Sequence, residues 1–418
     1  MEDLDSFRSR ARTFIRANLG PAGSDTDVMV GLRGTRSDAE DLAAVQRDRE
    51  LQRMLFDAGL AGICFPREYG GQGLSPAHQT VLNEELAGYE YPLRLQAPSI
   101  SQCGAVILEF GTEEQKGRHL PAILRGDEIW VQFLSEPGGG SDVAGAVTTA
   151  VRDGDEWVLN GSKIWTSGAW WSHWGLCLAR TNWDVPKHRG LTVFMVPIAV
   201  PGLDVHRIEL LSGSREFCQE FFTDVRIPDA YRIGDVDDGW TVGIGWMLHE
   251  RLGPSSSYYT APAGSGAARP GGDLPLGRAH RDDPVVRDLV GEVAMLELVG
   301  RELSKRLAEA MATGKMTDQA AAIGRLFHGV ASVRTRTIAL ELAGDAGVAW
   351  NDDDGDATHV GIDYLMSHVA TIAGGTTEMA RNVISERVLG MPRERALDRE
   401  VAFRDVPRSA QPETGALP

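Results

Sequence analysis

Residues 132–142 read QFLSEPGGGSD, and this stretch decides how the chain is interpreted. Its apolar start, with Phe133 and Leu134, predicts a strand that runs into a loop of three consecutive glycines. Glycine lets a backbone approach a planar ligand because no Cβ stands in the way. Ser135 and Ser141 supply hydroxyls, and the loop supplies free N–H groups for a ring edge or an anion. By itself the stretch is either a ligand-binding loop or a plain glycine-rich turn.

A second stretch, residues 160–169, reads NGSKIWTSGA. Trp165 and Ser167 are two residues apart on a predicted strand, so both side chains should lie on one face. An aromatic ring and a hydroxyl on that face could flank a ring system. The alternative is an ordinary core tryptophan.

Around these stretches, the spacing of apolar residues along the sequence changes twice. From about residue 129 to residue 233 the apolar period is two, and Asp153-Gly154 predicts a hairpin. Helical spacing dominates before and after this part. We therefore predict an α+β multidomain chain with an N-terminal α-helical domain over 1–127, a middle antiparallel β domain over 128–234, a C-terminal helical domain over 235–392 and a tail over 393–418.

Composition excludes several classes of protein. The formal net charge of -17 argues against nucleic acid as a partner, because phosphate binding needs concentrated lysine and arginine. No apolar run reaches the length of about 18 residues that a membrane span needs, and the N-terminus lacks the apolar region of a signal peptide. We expect a cytoplasmic protein. The 4 cysteines share no CxxC spacing, which predicts neither a zinc site nor a disulfide framework.

Taken together, the two stretches resemble the acyl-CoA dehydrogenase family, whose motifs read TEPGAGSD and close to MWITNG. The resemblance covers nearly the whole chain. It implies that the C-terminal domain is a four-helix bundle, that the cofactor is FAD and that the substrate is an acyl-CoA. It further implies FAD contacts from the first two motifs, namely Phe133, Leu134, Ser135, Gly140, Ser141, Trp165, Thr166 and Ser167. Ser141 also matches a residue near the CoA portion of the substrate.

Two further stretches extend the resemblance. Residues 374–382 and 387–390, GGTTEMARN and RVLG, resemble the closing motif YEGTxEIxRN…RxLG. Thr376 is a predicted helix N-cap, and the resemblance implies that the turn with Thr376, Thr377 and Glu378 contacts FAD. Residues 341–347, ELAGDAG, resemble a degenerate form of the family's QxxGGxG loop. That loop contacts the FAD of a neighbouring subunit, which implicates Glu341, Gly344 and Asp345.

The reaction that the resemblance implies needs a base, which takes a proton from the α-carbon while a hydride leaves the β-carbon for flavin N5. In many family members the base is the Glu of YEGT, but here that position is Gly374. A second subgroup, with isovaleryl, long-chain and some actinobacterial steroid-side-chain enzymes, has its base in a Glu-Arg pair on an earlier helix. Glu250 and Arg251 match that pair, so we predict that Glu250 is the catalytic base.

The resemblance also suggests substrate contacts from residues near the base. These candidates are His249, Arg251 and Gly375, and the backbone N–H of Gly375 would polarise the thioester carbonyl.

The family's RxxFG motif is missing, although Arg278 or Arg281 could replace its arginine. Two assemblies stay open, a homotetramer and an α2β2 heterotetramer, with an electron-transfer flavoprotein or similar acceptor as the redox partner. Alternative functions are a non-catalytic or FAD-sharing subunit and a flavin oxidase or monooxygenase. A bulky or steroid-derived acyl group is one possible substrate.

Overall fold

The computed structural model describes residues 2–22, 36–253, 256–262, 282–349, 356–396 and 398–407. Arg278 and Arg281 lie outside these residues. Along the described chain, helices come first, a β-sheet follows and helices return, which confirms the predicted fold class. The element type changes between Arg125 and Trp130 and again between Ile233 and Gly239.

The first helical part owes its helices to capping and to one-sided apolar spacing. Ser37 and Thr112 form capping boxes with Glu40 and Gln115, which satisfy the first backbone N–H groups of two helices. Its helices are α1 (Leu4–Asn18), α2 (Asp38–Asp57), α3 (Pro76–Glu85), α4 (Leu93–Leu95), a π-helical segment (Gln96–Gly104), α5 (Ala105–Phe110) and α6 (Glu113–Arg125).

The middle part is an eight-stranded sheet in the order β6-β7-β3-β2-β4-β5-β8, with β1 paired to β4. Its strands are β1 (Trp130–Phe133), β2 (Thr149–Asp153), β3 (Glu156–Ser167), β4 (Trp174–Arg180), β5 (Leu191–Pro197), β6 (Leu203–Arg207), β7 (Phe217–Pro228) and β8 (Arg232–Ile233). The predicted hairpin joins β2 to β3, and Gly154 has a φ of 66° in its turn. The sheet is mostly antiparallel, but β1 runs parallel to β4, and Thr149 makes a parallel bridge to Arg180.

The C-terminal part is helical again, with α7 (Gly239–Leu252), α8 (Pro284–Ala312), α9 (Ala321–Ala343), α10 (Asp356–Leu365), α11 (Val369–Ile372) and α12 (Thr377–Val383). The two long helices approach closely because small residues line the contact. A Cβ added at Gly300 would lie 3.1 Å from the Phe327 ring. An ion pair of 2.6 Å between Arg334 and Glu292 also joins α9 to α8.

One hydrophobic core fixes α7 against the rest of the molecule. It combines Val242 and Trp246 of α7 with Cys103 of the π-helical segment and with Leu191 and Val193 of the sheet. Burial of this apolar surface holds the last turn of α7, which carries Glu250, in place. Within the described residues, no helix is long and apolar enough to cross a membrane.

Candidate active site

The glycine-rich stretch forms a tight, open turn after β1. The N–H of Glu136 donates to the Gly139 carbonyl over 3.1 Å, and the reverse bond measures 2.9 Å. A Cβ added at Gly138 or Gly139 would meet no atom of the described chain within 4 Å. Ser135 Oγ lies 3.4 Å from the position that a Cβ of Gly140 would take. The turn therefore presents backbone and hydroxyl groups on an open surface.

A buried ion pair holds this turn to β3. Lys163 Nζ donates to Glu136 Oε1 over 2.8 Å and to the Leu134 carbonyl over 3.1 Å, and its side chain is 0% exposed. The N–H groups of Val147 and Thr148 donate to the same carboxylate. Burial would raise the pKa of Glu136, but the Lys163 charge and these hydrogen bonds hold that pKa below its ordinary value.

Trp165 is presented by a β-bulge in β3. The register against β7 shifts between Ile164 and Thr166, and Trp165 has a φ of 67°. A left-handed backbone is unfavourable for a bulky residue, and such strain is concentrated at functional sites. The ring is nonetheless 54% exposed. This large, fixed, open aromatic surface is suited to stacking on a planar ligand.

The bulge also interrupts the strand alternation, so Thr166 points into the protein while Ser167 is half-buried. Thr166 Oγ1 lies 2.9 Å from Glu220 Oε2 and 3.3 Å from the Gln132 carbonyl. Burial raises the pKa of Glu220 to about 8. The Thr166 hydroxyl donates to Glu220 Oε2, and this hydrogen bond opposes the increase in the pKa of Glu220.

Glu250 lies in the last turn of α7, beside the backbone of Gly374. Its Oε1 atom is 3.8 Å from the position that a Cβ of Gly374 would take. Burial raises the pKa of Glu250, and the charges of Arg251 and Arg325 oppose that increase. The result is a carboxylate that is more basic than an ordinary glutamate, next to a glycine turn that leaves space.

Arg325 of α9 completes this arrangement, and sequence reasoning missed it. Its Nε lies 3.7 Å from the same Gly374 Cβ position. Its Nη1 donates to the Ala370 carbonyl over 2.8 Å and its Nη2 to the Ala373 carbonyl over 2.5 Å. Burial lowers the pKa of Arg325, and the Glu250 charge opposes this change. The sequence feature that could have identified Arg325 is a positive charge within the apolar pattern of residues 320–342.

Two glycines form the turn that follows Ala373. Gly374 has a φ of 71° and Gly375 a φ of 97°, so both have left-handed backbones. A Cβ at Gly375 would have no described atom within 4 Å, so its backbone borders open space. Thr376 caps the next helix by accepting from the Met379 N–H over 3.1 Å, which confirms the predicted cap.

Three family models match the chain. They are the acyl-CoA dehydrogenase N-terminal domain at residues 1–127, the middle domain at 132–225 and the C-terminal domain at 237–389. The chain is 33% identical to the acyl-CoA dehydrogenase IpdE1 of Mycobacterium tuberculosis, over 94% of this chain and 99% of that protein. The chain belongs to the acyl-CoA dehydrogenase family.

Solved structures of acyl-CoA dehydrogenases share the fold. The structure of the Tcur3481-Tcur3483 steroid ACAD (acyl-CoA dehydrogenase) matches with a TM-score of 0.74 and 28% identity, over 94% of this chain and 99% of that one. A chain of the ChsE4-ChsE5 complex from Mycobacterium tuberculosis matches with a TM-score of 0.72 and 26% identity, over the same shares of the two chains, 94% and 99%.

The remaining candidate residues lie in several parts of the structure. Phe133 is buried against Phe222 at 5.7 Å, and Leu134 is partly buried, so their backbones are the parts available to a ligand. Ser141 is exposed beside the glycine turn. Thr377 is buried and donates to the exposed Glu378, which also pairs with Arg381.

The two neighbours of Glu250 differ in their surroundings. His249 Nε2 lies 3.2 Å from Glu109 Oε2, and its ring is 6.0 Å from that of Tyr258. Arg251 is exposed and acts on Glu250 through its charge.

A further set of candidate residues is remote from Glu250. Glu341, Gly344 and Asp345 are exposed at the C-terminal end of α9, whereas Arg325 lies near its N-terminal end. At about 1.5 Å of rise per residue, Glu341 is roughly 24 Å from Arg325 along the helix. These residues are therefore remote from Glu250.

Proposed function

We propose that this chain catalyses the FAD-dependent α,β-desaturation of an acyl-CoA thioester, with Glu250 as the base. The observation that carries the proposal is the position of Glu250 Oε1, 3.8 Å from where a Gly374 side chain would begin. In many acyl-CoA dehydrogenases the base is a glutamate at the position of Gly374. Here a carboxylate from α7 reaches the space that such a glutamate would occupy.

The surroundings of Glu250 suit proton abstraction from a weakly acidic carbon. A raised pKa makes the carboxylate a stronger base, and the charges of Arg251 and Arg325 oppose a further increase of that pKa. Arg325 also holds the carbonyls of Ala370 and Ala373, which fixes the turn that leads to Gly375. A Gly375 N–H directed at the thioester carbonyl would stabilise the enolate that develops during proton removal.

The open glycine turn, the Ser135 hydroxyl and the exposed ring of Trp165 fit the isoalloxazine of FAD, with Ser167 on the adjoining strand. Thr376 to Glu378, at the start of α12, would contact the same cofactor. When bound, FAD supplies the hydride acceptor. The protein residues position the acyl chain between this surface and Glu250 and take up the proton.

The substrate that we propose has a bulky or steroid-derived acyl group. Support comes from the similarity to the solved Tcur3481-Tcur3483 steroid ACAD structure, at 28% identity over 94% of this chain. We further propose that a second subunit completes each FAD site through Glu341, Gly344 and Asp345, in a homotetramer or an α2β2 heterotetramer. An electron-transfer flavoprotein would then reoxidise the cofactor.

The substitution Glu250→Gln tests the proposal. We expect the variant to retain FAD, while anaerobic bleaching of the flavin by an acyl-CoA slows by about a thousandfold, because general-base catalysis contributes on that scale. Stopped-flow absorbance measures both quantities. Glu302→Gln is the matched control, since Glu302 is exposed on α8 and pairs only with Lys305 in the described structure. Unchanged bleaching in Glu250→Gln would remove Glu250 from the mechanism.

The same experiment on the wild-type protein separates the other functions. A non-catalytic subunit would show no bleaching with any thioester. A flavin oxidase or monooxygenase would consume oxygen stoichiometrically once air is admitted, whereas a dehydrogenase needs an electron-transfer partner.

A further inference from the structure

Helix α7, which carries Glu250, and the adjoining π-helical segment have buried polar atoms that lack a hydrogen-bond partner in the described chain. Ser101 Oγ and Gln102 Oε1 belong to the π-helical segment, and Trp246 Nε1 and His249 Nδ1 belong to α7. Buried polar atoms are nearly always paired in folded proteins, and an exception needs an explanation. Four exceptions on two adjoining elements indicate a partner that comes from outside the chain.

These elements meet beside the base. A Cβ added at Gly245 would lie 2.8 Å from the Phe110 ring, so α7 packs directly on the helix that continues the π-helical segment. Cys103 and Trp246 share one hydrophobic core, and Trp246 precedes Glu250 by one helical turn on the same face. Burial and the nearby Glu250 charge both raise the pKa of Cys103. The two elements that carry the unpaired atoms therefore meet beside Glu250, next to which we place the acyl chain.

Within the π-helical segment, the lack of partners is confined to Ser101 and Gln102. Ser99, two residues before Ser101, accepts from the Trp130 N–H over 3.0 Å. Gln96 donates to the Pro92 carbonyl over 3.2 Å and accepts from the Thr260 N–H over 3.0 Å. The same segment thus satisfies its other buried polar side chains, and π-helical turns are frequent at functional sites.

We propose that Ser101, Gln102, Trp246 and His249 form a polar wall of the acyl pocket and bind a keto or hydroxyl oxygen on the body of the acyl group, remote from the thioester. This inference rests on the proposed function and deepens it. The Ser101 hydroxyl and the Trp246 N–H can donate to either oxygen, and Gln102 Oε1 can accept from a hydroxyl. A plain hydrocarbon chain would leave all four atoms unpaired, so the polar wall discriminates against it.

The test compares two thioesters, cyclohexylpropionyl-CoA and its analogue with a ketone or hydroxyl on the ring. Their Kd values for the FAD-loaded enzyme are measured by titration calorimetry, and their kcat/KM values by dye reduction. We expect the oxygenated thioester to bind about tenfold more tightly for each hydrogen bond gained. Ser101→Ala and Gln102→Met should lower this ratio of Kd values toward one, whereas the control Ser99→Ala should preserve it.

Equal Kd values for both thioesters in the wild-type enzyme would overturn the inference, as would a ratio that neither variant lowers. In either case ordered water would be the partner of the polar wall. Calorimetry needs no turnover, so the two proposals fail separately. Selective binding without desaturation would refute the proposed reaction alone, and desaturation without selectivity would refute the polar wall alone.

Discussion

At the scale of single residues, the site depends on the placement of two charges around a missing side chain. Gly374 contributes no Cβ, and both Glu250 Oε1 and Arg325 Nε lie within 4 Å of the place where that Cβ would be. Burial raises the pKa of Glu250, while Arg325 and Arg251 limit the increase. Arg325 therefore has two separable effects, one electrostatic and one on the position of the glycine turn.

We expect kcat/KM to rise with pH through the pKa of Glu250, because only the ionised carboxylate accepts a proton. Since this pKa is above the ordinary value of 4.5, the acidic limb of the profile lies above pH 4.5. In Arg325→Gln the loss of a nearby positive charge raises the pKa further, so the limb moves to higher pH. The measurement is kcat/KM against pH with one thioester.

Arg325→Lys keeps the charge but loses the paired hydrogen bonds to Ala370 and Ala373. We expect its acidic limb to stay near that of the wild type while KM rises. Arg306→Gln, an exposed change on α8, should alter neither quantity. An Arg325→Gln limb at or below the wild-type position would refute the electrostatic role.

At the scale of elements, β3 connects the proposed flavin surface to the core. The bulge at Trp165 turns a large ring outward and Thr166 inward, which simple alternation does not predict. Lys163, two residues earlier, ties β3 to the glycine turn through Glu136. The geometry of the cofactor surface thus depends on a buried ion pair beneath it.

We expect Lys163→Met to lower the free energy of unfolding by about 3–5 kcal/mol, because it leaves the Glu136 charge buried and unpaired. The double variant Glu136→Gln/Lys163→Met should recover part of that loss. Urea denaturation followed by tryptophan fluorescence measures both values. If the double variant is no more stable than Lys163→Met, the unpaired charge is not the cause.

The sign of the pH dependence follows from the lowered pKa of Glu136. Its stabilisation is present above the unfolded-state pKa, ordinarily 4.5, and disappears as pH falls through the lower folded-state pKa. The same denaturation series at decreasing pH should therefore show the wild type losing this contribution only below about pH 4.5.

At the scale of the whole molecule, α9 links two regions with different roles. Arg325 serves the pocket that contains Glu250, while the exposed Glu341 lies roughly 24 Å away along the same helix, and Gly344 and Asp345 follow the end of that helix. Residues that are too far from the Glu250 pocket of their own chain can contact a cofactor that is bound by another copy of the chain or by a partner subunit. FAD binding and assembly should therefore be coupled.

We expect FAD to elute with the assembled protein and not with free monomer, as measured by size-exclusion chromatography with light scattering and flavin absorbance. Asp345→Arg should lower the FAD content, and it should leave the folded helix content unchanged by circular dichroism. Monomer that carries one FAD per chain would refute the coupling. A homo-oligomer with full FAD content and turnover would exclude the need for a different partner subunit.

Much of the architecture could be predicted from the sequence because it depends on near neighbours. The caps at Thr112 and Thr376, the hairpin at Gly154 and the strand before the glycine turn are each decided within a few residues. The motifs around Ser135 and Trp165 indicated the family, and the family models and relatives confirm it. The Glu-Arg pair then indicated the candidate base.

Only the tertiary structure brought Glu250, Arg325 and Gly374 together from three separate helices or turns. It also decided that burial raises the pKa of Glu220 to about 8 and that four buried polar atoms on the π-helical segment and α7 lack partners in the described chain. The physical reason is that a pKa or an unmet hydrogen bond depends on what surrounds a side chain in space. Those surroundings come from distant segments, whereas periodicity and capping are properties of the local chain.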